Sequence, residues 1–167
     1  MSLRERLAEA LLLKEVPRAG WLRAGVAEPE SVAAHSWGVA WLVLVLCPDG
    51  IDRGRALAIA VLHDLAEARI GDITPHDGIS HEEKQRRERE AMTAMTASLG
   101  DELMSLWLEY EEASTPEGRF VKACDKLDMA LQAHRYRARD AVDTRSFVDS
   151  ALRAIDDETL AALAAGT

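Results

Sequence analysis

Cysteine, aromatic residues, basic charge and long apolar runs are all scarce in this chain, and each shortage closes a class of explanation. Only two cysteines occur in 167 residues, Cys47 and Cys124. They stand at no ligand-like spacing, so neither a disulfide framework nor a thiolate zinc site organises the fold, and a reduced, cytoplasmic setting is the simplest expectation. Aromatics make up 5%, β-branched runs are short and no alternating strand pattern is present, which leaves an alanine- and leucine-rich, helix-forming composition. The longest apolar run, Trp37 to Cys47, is too short to span a bilayer. The opening Met1-Ser2-Leu3-Arg4-Glu5-Arg6 reads as a charged amphipathic helix rather than a signal peptide. With 20 Lys and Arg against 29 Asp and Glu, a formal charge of −9 argues against a nucleic-acid polymer or an anionic membrane as partner.

What is present is helical periodicity. Hydrophobic content of 48% in a chain of this length suffices for one domain with a full core. No repeat or low-complexity linker divides residues 1–167, so the expectation is a single all-α domain, a bundle of about six to seven helices. Leu3, Leu7 and Leu11 mark a first helix over 2–15, with Ser2 as N-cap and Pro17 as its end. Residues 16–29 read as a loop punctuated by Gly20, Gly25 and Pro29. Val32, His35, Val39, Leu42, Val43 and Leu46 form one stripe of a second helix, 30–47, which puts His35 on the buried face. Asp52 caps a third helix that runs to Ile70, and Gly71 closes it. Further helices are expected over 80–99, 101–112, 115–140 and 146–164, with Ser80 and Glu83 in capping-box spacing and Thr115-Pro116 as N-cap and first turn. The domain core then spans about 30–136, flanked by the N-terminal helix and loop, 2–29, and the C-terminal helix.

The segment Ala60-Val61-Leu62-His63-Asp64-Leu65-Ala66-Glu67 places a histidine and two carboxylates at the end of an apolar helix, and Asp72 follows just past Gly71. A buried Asp beside a buried His needs compensation from an Arg or Lys, a hydrogen-bond network or a divalent metal. Arg69, the one base close in sequence, is five residues from Asp64 and points elsewhere on a helix, which moves weight toward metal. Each group also has a plainer reading: His35 as a hydrogen-bonded core residue, Asp125 as half of a surface pair with Lys122 or Lys126, Glu67 as a solvent-facing helix residue. Taken together, two His and two Asp in apolar helices are a borderline N/O donor set suited to Mn, Co, Fe or Zn. On the residues alone the metal and structural readings both stay open. His76, His81 and His134 lack apolar helical settings and are not expected as ligands. Trp37, Trp41 and Trp107 are expected as core or dimer contacts, and the charged run from Glu82 to Glu90 as a solvated helix face.

The ordered set His35, His63-Asp64, Asp125 resembles the HD-domain metal-dependent phosphohydrolase superfamily. Val16-Pro17-Arg18-Ala19-Gly20-Trp21, Pro29-Glu30-Ser31-Val32-Ala33-Ala34-His35, His63-Asp64-Leu65-Ala66-Glu67 with Gly71-Asp72-Ile73-Thr74-Pro75, Glu82-Glu83-Lys84, and Phe120-Val121-Lys122 before Asp125 resemble, in order and spacing, its 5′-deoxynucleotidase family. The likeness covers about residues 11–136. It implies an HD-domain helical bundle, a divalent cation (Mn, Co or Mg, with Zn or Fe also accepted) and a homodimer. It also implies a deoxyribonucleoside 5′-monophosphate as the small-molecule substrate, hydrolysed to deoxynucleoside and phosphate. His35, His63, Asp64 and Asp125 match the metal ligands. Glu67 and Asp72 match the acidic residues that position or deprotonate the attacking water and could hold a second ion. Arg18 matches the arginine that meets the phosphate, and Trp21 the loop aromatic near the sugar. Within the charged helix face, Lys84 is the exception expected either to approach the phosphate or to tie the loop after Asp72. Two other readings compete: the same scaffold acting on another phosphomonoester, a cyclic nucleotide or a nucleoside polyphosphate, and a helical regulatory or dimerisation module without catalysis.

Overall fold

The computed structural model describes residues 2–166. Its helices are α1 (Leu3–Ala10), α2 (Ala19–Arg23), α3 (Val32–Leu46), α4 (Arg53–Leu62), α5 (Glu67–Ile70), α6 (His81–Thr96), α7 (Asp101–Glu111), α8 (Pro116–Asp140), α9 (Arg145–Ala154) and α10 (Glu158–Ala165), with 3₁₀ turns at Leu11–Lys14 and Pro75–Asp77. No helix among the described residues is long and apolar enough to cross a membrane. The expected capping residues act as such: Ser2, Ser31, Asp52, Ser80 and Thr115 each accept a backbone N–H from the first turn they precede.

The long α8 is the axis of the bundle, packed by α3, α4 and α7 on one side and by α9 and α10 on the other. Where these helices meet, Val39, Val43, Ile59, Ala60, Met92, Trp107, Val121 and Cys124 form a closed core. A second cluster seats Ala151, Ile155 and Leu160 of the C-terminal helices on Leu127 and Ala130. A third packs Trp21 and Val26 of the N-terminal segment on Ala133 and Tyr136.

The helices are more numerous and shorter than the periodicity suggests, and each difference has a local cause. The first one tightens into a 3₁₀ turn after Ala10. The loop 16–29 contains the short α2. The C-terminal helix breaks at Ile155, whose backbone is extended, because Asp157 starts a new helix by accepting the Leu160 N–H at 2.9 Å. The helix expected over 52–70 stops at Leu62. There the His63 ring nitrogen Nδ1 donates to the Ala60 carbonyl at 2.7 Å. The following bonds, Leu65 N–H to Leu62, Glu67 N–H to Asp64 and Ala68 N–H to Leu65, are of the tighter i−3 type. Glu67 therefore reaches the site from a separate turn and not, as the periodicity suggests, from the same helix face as His63.

Cys124 is fully buried on α8, and burial pushes its thiol up to about 12, whereas Cys47 is half-buried at the end of α3. Since the thiolate is the reactive form, a disulfide-exchange reagent should titrate at most one thiol in the folded protein and two after unfolding in denaturant. Fast titration of both in the folded state contradicts this packing.

Candidate active site

The middle of α3, the turn after α4 and the middle of α8 each bring donor atoms to one point. His35, on α3, is fully buried, and its Nε2 lies 3.1 Å from Asp125 Oδ1 and 3.7 Å from Asp64 Oδ2. His63 Nε2 lies 3.4 Å from His35 Nε2 and 3.2 Å from Asp64 Oδ2. One ligand atom each from His35, His63 and Asp64 falls within 4.8 Å of the others. The imidazole of residue 35 and the carboxylate of residue 125, 90 residues apart in sequence, are thus neighbours.

The outer atoms of His35, His63 and Asp125 are held. His63 Nδ1–H is committed to the Ala60 carbonyl, which can only accept, so a neutral His63 turns the lone pair of Nε2 inward. His35 Nδ1 lies 2.7 Å from Asp128 Oδ2. Asp125 Oδ2 accepts from Tyr110 Oη and from Lys126 Nζ, both at 2.9 Å, which leaves Oδ1 facing His35. The Asp125–Lys126 pair expected as a surface contact exists, but Asp125 is 5% exposed and its free oxygen points into the molecule. His35, His63 and Asp64 thus each offer a donor atom within 4.8 Å of the others, and Asp125 Oδ1 faces His35 beside them, a set of nitrogen and oxygen donors of the kind a divalent cation accepts.

Electrostatics point the same way. Burial and Arg18 oppose charge on His35, but its hydrogen bonds to Asp125 and Asp128 override them and raise its pKa to about 9. Burial favours neutral Asp64, yet His63, His35 and Arg18 hold it well below the usual carboxylate range. The cluster thus demands positive charge.

Arg18, and not Arg69, is the basic partner of Asp64. Arg69 pairs with Glu9, its Nη2 3.1 Å from Oε2. Arg18 arrives from the N-terminal segment, pinned beside the start of α3 by Arg18 N–H to the Glu30 carbonyl at 3.0 Å and Val32 N–H to the Val16 carbonyl at 2.8 Å. Its Nη1 lies 3.6 Å from Asp64 Oδ2 and 3.8 Å from Asp72 Oδ1. Asp72 also accepts the Ala19 N–H at 2.8 Å, so it ties the α2 turn to the site. Gly71, at φ 77°, makes that return possible.

Glu67 is 4% exposed, and its Oε2 is buried with no hydrogen-bond partner among the described residues. Burial, with Asp64 and Asp72 nearby, raises its pKa well above the ordinary value. A buried carboxylate oxygen without a partner is costly, and here it borders a cavity of about 770 Å³, a size typical of small-molecule clefts. Arg18, Asp64, Glu67, Asp72, Lys84 and Asp125 line that cavity, together with the apolar Trp21, Met129 and Phe147. Trp21 is itself a pillar, 2% exposed, its Nε1–H donating to Glu30 Oε1 at 3.0 Å and its ring 4.2 Å from Phe147 between centroids. Lys84 Nζ lies 3.3 Å from Glu88 Oε1. His76 and His81 line the cavity outside the donor cluster, and His134 Nε2–H donates to the Ala164 carbonyl.

A family model described as the HD domain matches residues 10–163. The chain belongs to the HD-domain family. Similar members include the 5′-deoxynucleotidase hdd1 of Schizosaccharomyces pombe, 44% identical over 135 residues, 76% of this chain and 68% of that protein. The 5′-deoxynucleotidase HDDC2 of Homo sapiens is 44% identical over 128 residues, 74% of this chain and 63% of that protein. The matches thus span about two thirds of these relatives' own length. Among solved structures, a Pyrococcus horikoshii OT3 protein superposes with a TM-score of 0.82 at 34% identity, covering 99% of this chain and 100% of the other. A protein of Magnetospirillum magnetotacticum MS-1, described as a predicted metal-dependent phosphohydrolase, gives 0.76 at 28%, covering 98% and 87%. In this HD domain the His63-Asp64 pair sits where α4 ends and the tighter turn begins.

Proposed function

We propose that this chain is a divalent-metal-dependent 5′-deoxynucleotidase, with His35, His63, Asp64 and Asp125 as the metal ligands. One observation carries the reading: Asp64, Asp125 and Glu67, whose buried Oε2 has no partner among the described residues, line one cavity, and His35 and His63 each bring an Nε2 within 3.7 Å of Asp64 Oδ2. The relatives named 5′-deoxynucleotidase support the substrate class. A divalent cation held by His35, His63, Asp64 and Asp125 would supply charge neutralisation for the phosphate oxygens and acidify a water at neutral pH. Mn, Co and Mg are the ions we assign first, with Zn and Fe also suited to the donors.

The remaining steps belong to the chain. Arg18 presents a planar fork to the phosphate, and Asp72 fixes the turn that carries it. Glu67, whose raised pKa makes its carboxylate a stronger base than an exposed one, accepts in its ionised form the proton of the attacking water. Lys84 adds positive charge to the cavity, while Trp21 and Phe147 offer apolar surface to the sugar and base. Glu67 and Asp72 together remain the place for a second ion. The test is phosphate release from a panel of 5′-deoxynucleotides, 5′-ribonucleotides, a cyclic nucleotide and a deoxynucleoside triphosphate with Mn or Co. Preferred turnover of the deoxynucleoside monophosphates is expected. Equal or better turnover of AMP or a phosphodiester removes the assignment, and no turnover of any substrate favours a regulatory module.

An exposed apolar stripe supports the homodimer reading. Trp107 is core, but Trp37 and Trp41 are 70% and 52% exposed, and with Leu44 and Val45 they form an apolar stripe along α3. Tryptophans that anchor an interface carry about 2 kcal/mol or more each, so Trp37→Glu should weaken self-association about 30-fold or more. Light scattering across a dilution series checks this, and an unchanged dimer places the interface elsewhere.

A further inference from the structure

We propose that Asp128 is a positioning residue of the metal centre, its carboxylate orienting His35, and that Gly38 exists to make room for it. The inference rests on the cation-binding reading above and adds to it a residue pair outside the ligand set.

Asp128 follows Asp125 by three residues on α8, so both project from one face toward α3. The first turns an oxygen to His35 Nδ1 at 2.7 Å, the second to His35 Nε2 at 3.1 Å. The ring, fully buried, is thus gripped on both nitrogens by the same helix. An ionised carboxylate can only accept, so Asp128 draws the ring proton to Nδ1 and leaves Nε2 as the nitrogen available to a cation. His63 obtains the same service from the Ala60 main chain. His35 depends on a side chain, which makes the device open to mutation.

Gly38 lies three residues after His35 within α3. A Cβ built there meets Asp128 Oδ1 at 2.1 Å and Cγ at 3.0 Å. Its φ is not positive, so no unusual backbone conformation requires glycine. A glycine inside a helix is less stable than alanine, and the space for the Asp128 carboxylate is the physical reason for it here.

The experiment is calorimetric titration of the metal-free, full chain with cobalt(II), alongside its visible absorption spectrum, with circular dichroism and melting curves for each variant. Asp128→Ala should bind cobalt about 10–100-fold more weakly, in the range for loss of such supporting groups, with an altered spectrum. Asp128→Asn should fall between. Gly38→Ala, which keeps both carboxylates but displaces one, should resemble Asp128→Ala. The double variant should bind about as Asp128→Ala does, because the added methyl then meets no carboxylate. Equal affinity and spectrum in folded Asp128→Ala and the unaltered chain overturn the positioning role. A fall from two bound ions to one, with the remaining affinity unchanged, also overturns it by making Asp128 a ligand together with Glu30 and His35, whose atoms lie within 4.8 Å. Fully additive losses in the double variant overturn the part assigned to Gly38. Failure of the unaltered chain to bind cobalt overturns the metal reading and this inference with it.

Discussion

Replacing Asp125 by asparagine should abolish metal binding and hydrolysis while leaving the fold intact. Asparagine has the shape of aspartate, so the argument turns on which of its ends faces inward. Tyr110 Oη–H and Lys126 Nζ–H both donate to the outer oxygen, Oδ2, at 2.9 Å. An amide NH₂ in that place would face two donors in a buried setting. The amide oxygen is therefore held outward, and NH₂ is turned toward His35 Nε2 and the other donors, where it offers hydrogens instead of a lone pair. The variant thus swaps an anionic ligand for a repelling group. We expect cobalt or manganese affinity to drop at least ~100-fold and phosphate release from deoxynucleoside monophosphates at least ~10³-fold, a loss on the scale of removing a principal electrostatic contact of the transition state. A chelator should reproduce the loss in the unaltered chain, and added Mn or Co should reverse it there but not in the variant. An Asp125→Asn protein that binds metal normally removes Asp125 from the ligand set. Calorimetry and phosphate release, read beside an unchanged melting curve, decide.

How much of this was legible in the sequence depends on whether a contact is local or made across the fold. Capping by Ser31, Asp52 and Thr115 is local, and the helix starts follow from it. The break after Leu62 is not visible in hydrophobic spacing, because it comes from a side chain, His63, taking the Ala60 carbonyl. The apolar settings of His35 and His63 marked them as buried, and the structure brings them to Asp64 and Asp125. Which base compensates Asp64 was not legible: Arg69 is near in sequence, whereas Arg18 is near in space because the segment before α3 folds back along its start. Spacing gives no site role to Tyr110 or Asp128, because each acts only on a ligand from another helix, and it offers Lys126 only as a surface partner of Asp125. The one faint signal was the repeat of spacing, His35 to Gly38 on α3 and Asp125 to Asp128 on α8. Trp37 and Trp41 fall off the stripe that carries Val32, His35, Val39 and Val43, and with α4 and α8 packed on α3 they are left exposed.

Glu67→Gln is expected to exchange activity for stability, and the sign of each change follows from one environment. The amide keeps the volume and can still orient a water, but it cannot take a proton, so kcat should fall about 10²–10⁴-fold with KM little changed. The folded protein, in contrast, should gain. Burial and the carboxylates of Asp64 and Asp72 raise the Glu67 pKa well above its ordinary 4.5. A group whose pKa is raised on folding favours the folded state below its unfolded pKa and loses that advantage as pH rises through its folded pKa. Glutamine has no such dependence. In metal-free protein the variant should therefore melt close to the unaltered chain at pH near 4.5 and progressively above it as pH rises, the gap levelling off beyond the raised folded pKa. Relief of a buried, unpartnered oxygen is of order 1 kcal/mol, about 2–4 °C in melting temperature for a chain of this size. Melting scans across pH in the presence of a chelator measure one half and steady-state phosphate release the other. A variant that keeps more than about a tenth of the rate is not missing its base, and one that melts lower at neutral pH shows that the Glu67 carboxylate is stabilising. A faster-unfolding or inactive protein is the usual result of altering a buried charge. Here the expected loss of rate and gain in stability run in opposite directions because the position serves the chemistry at the expense of the fold.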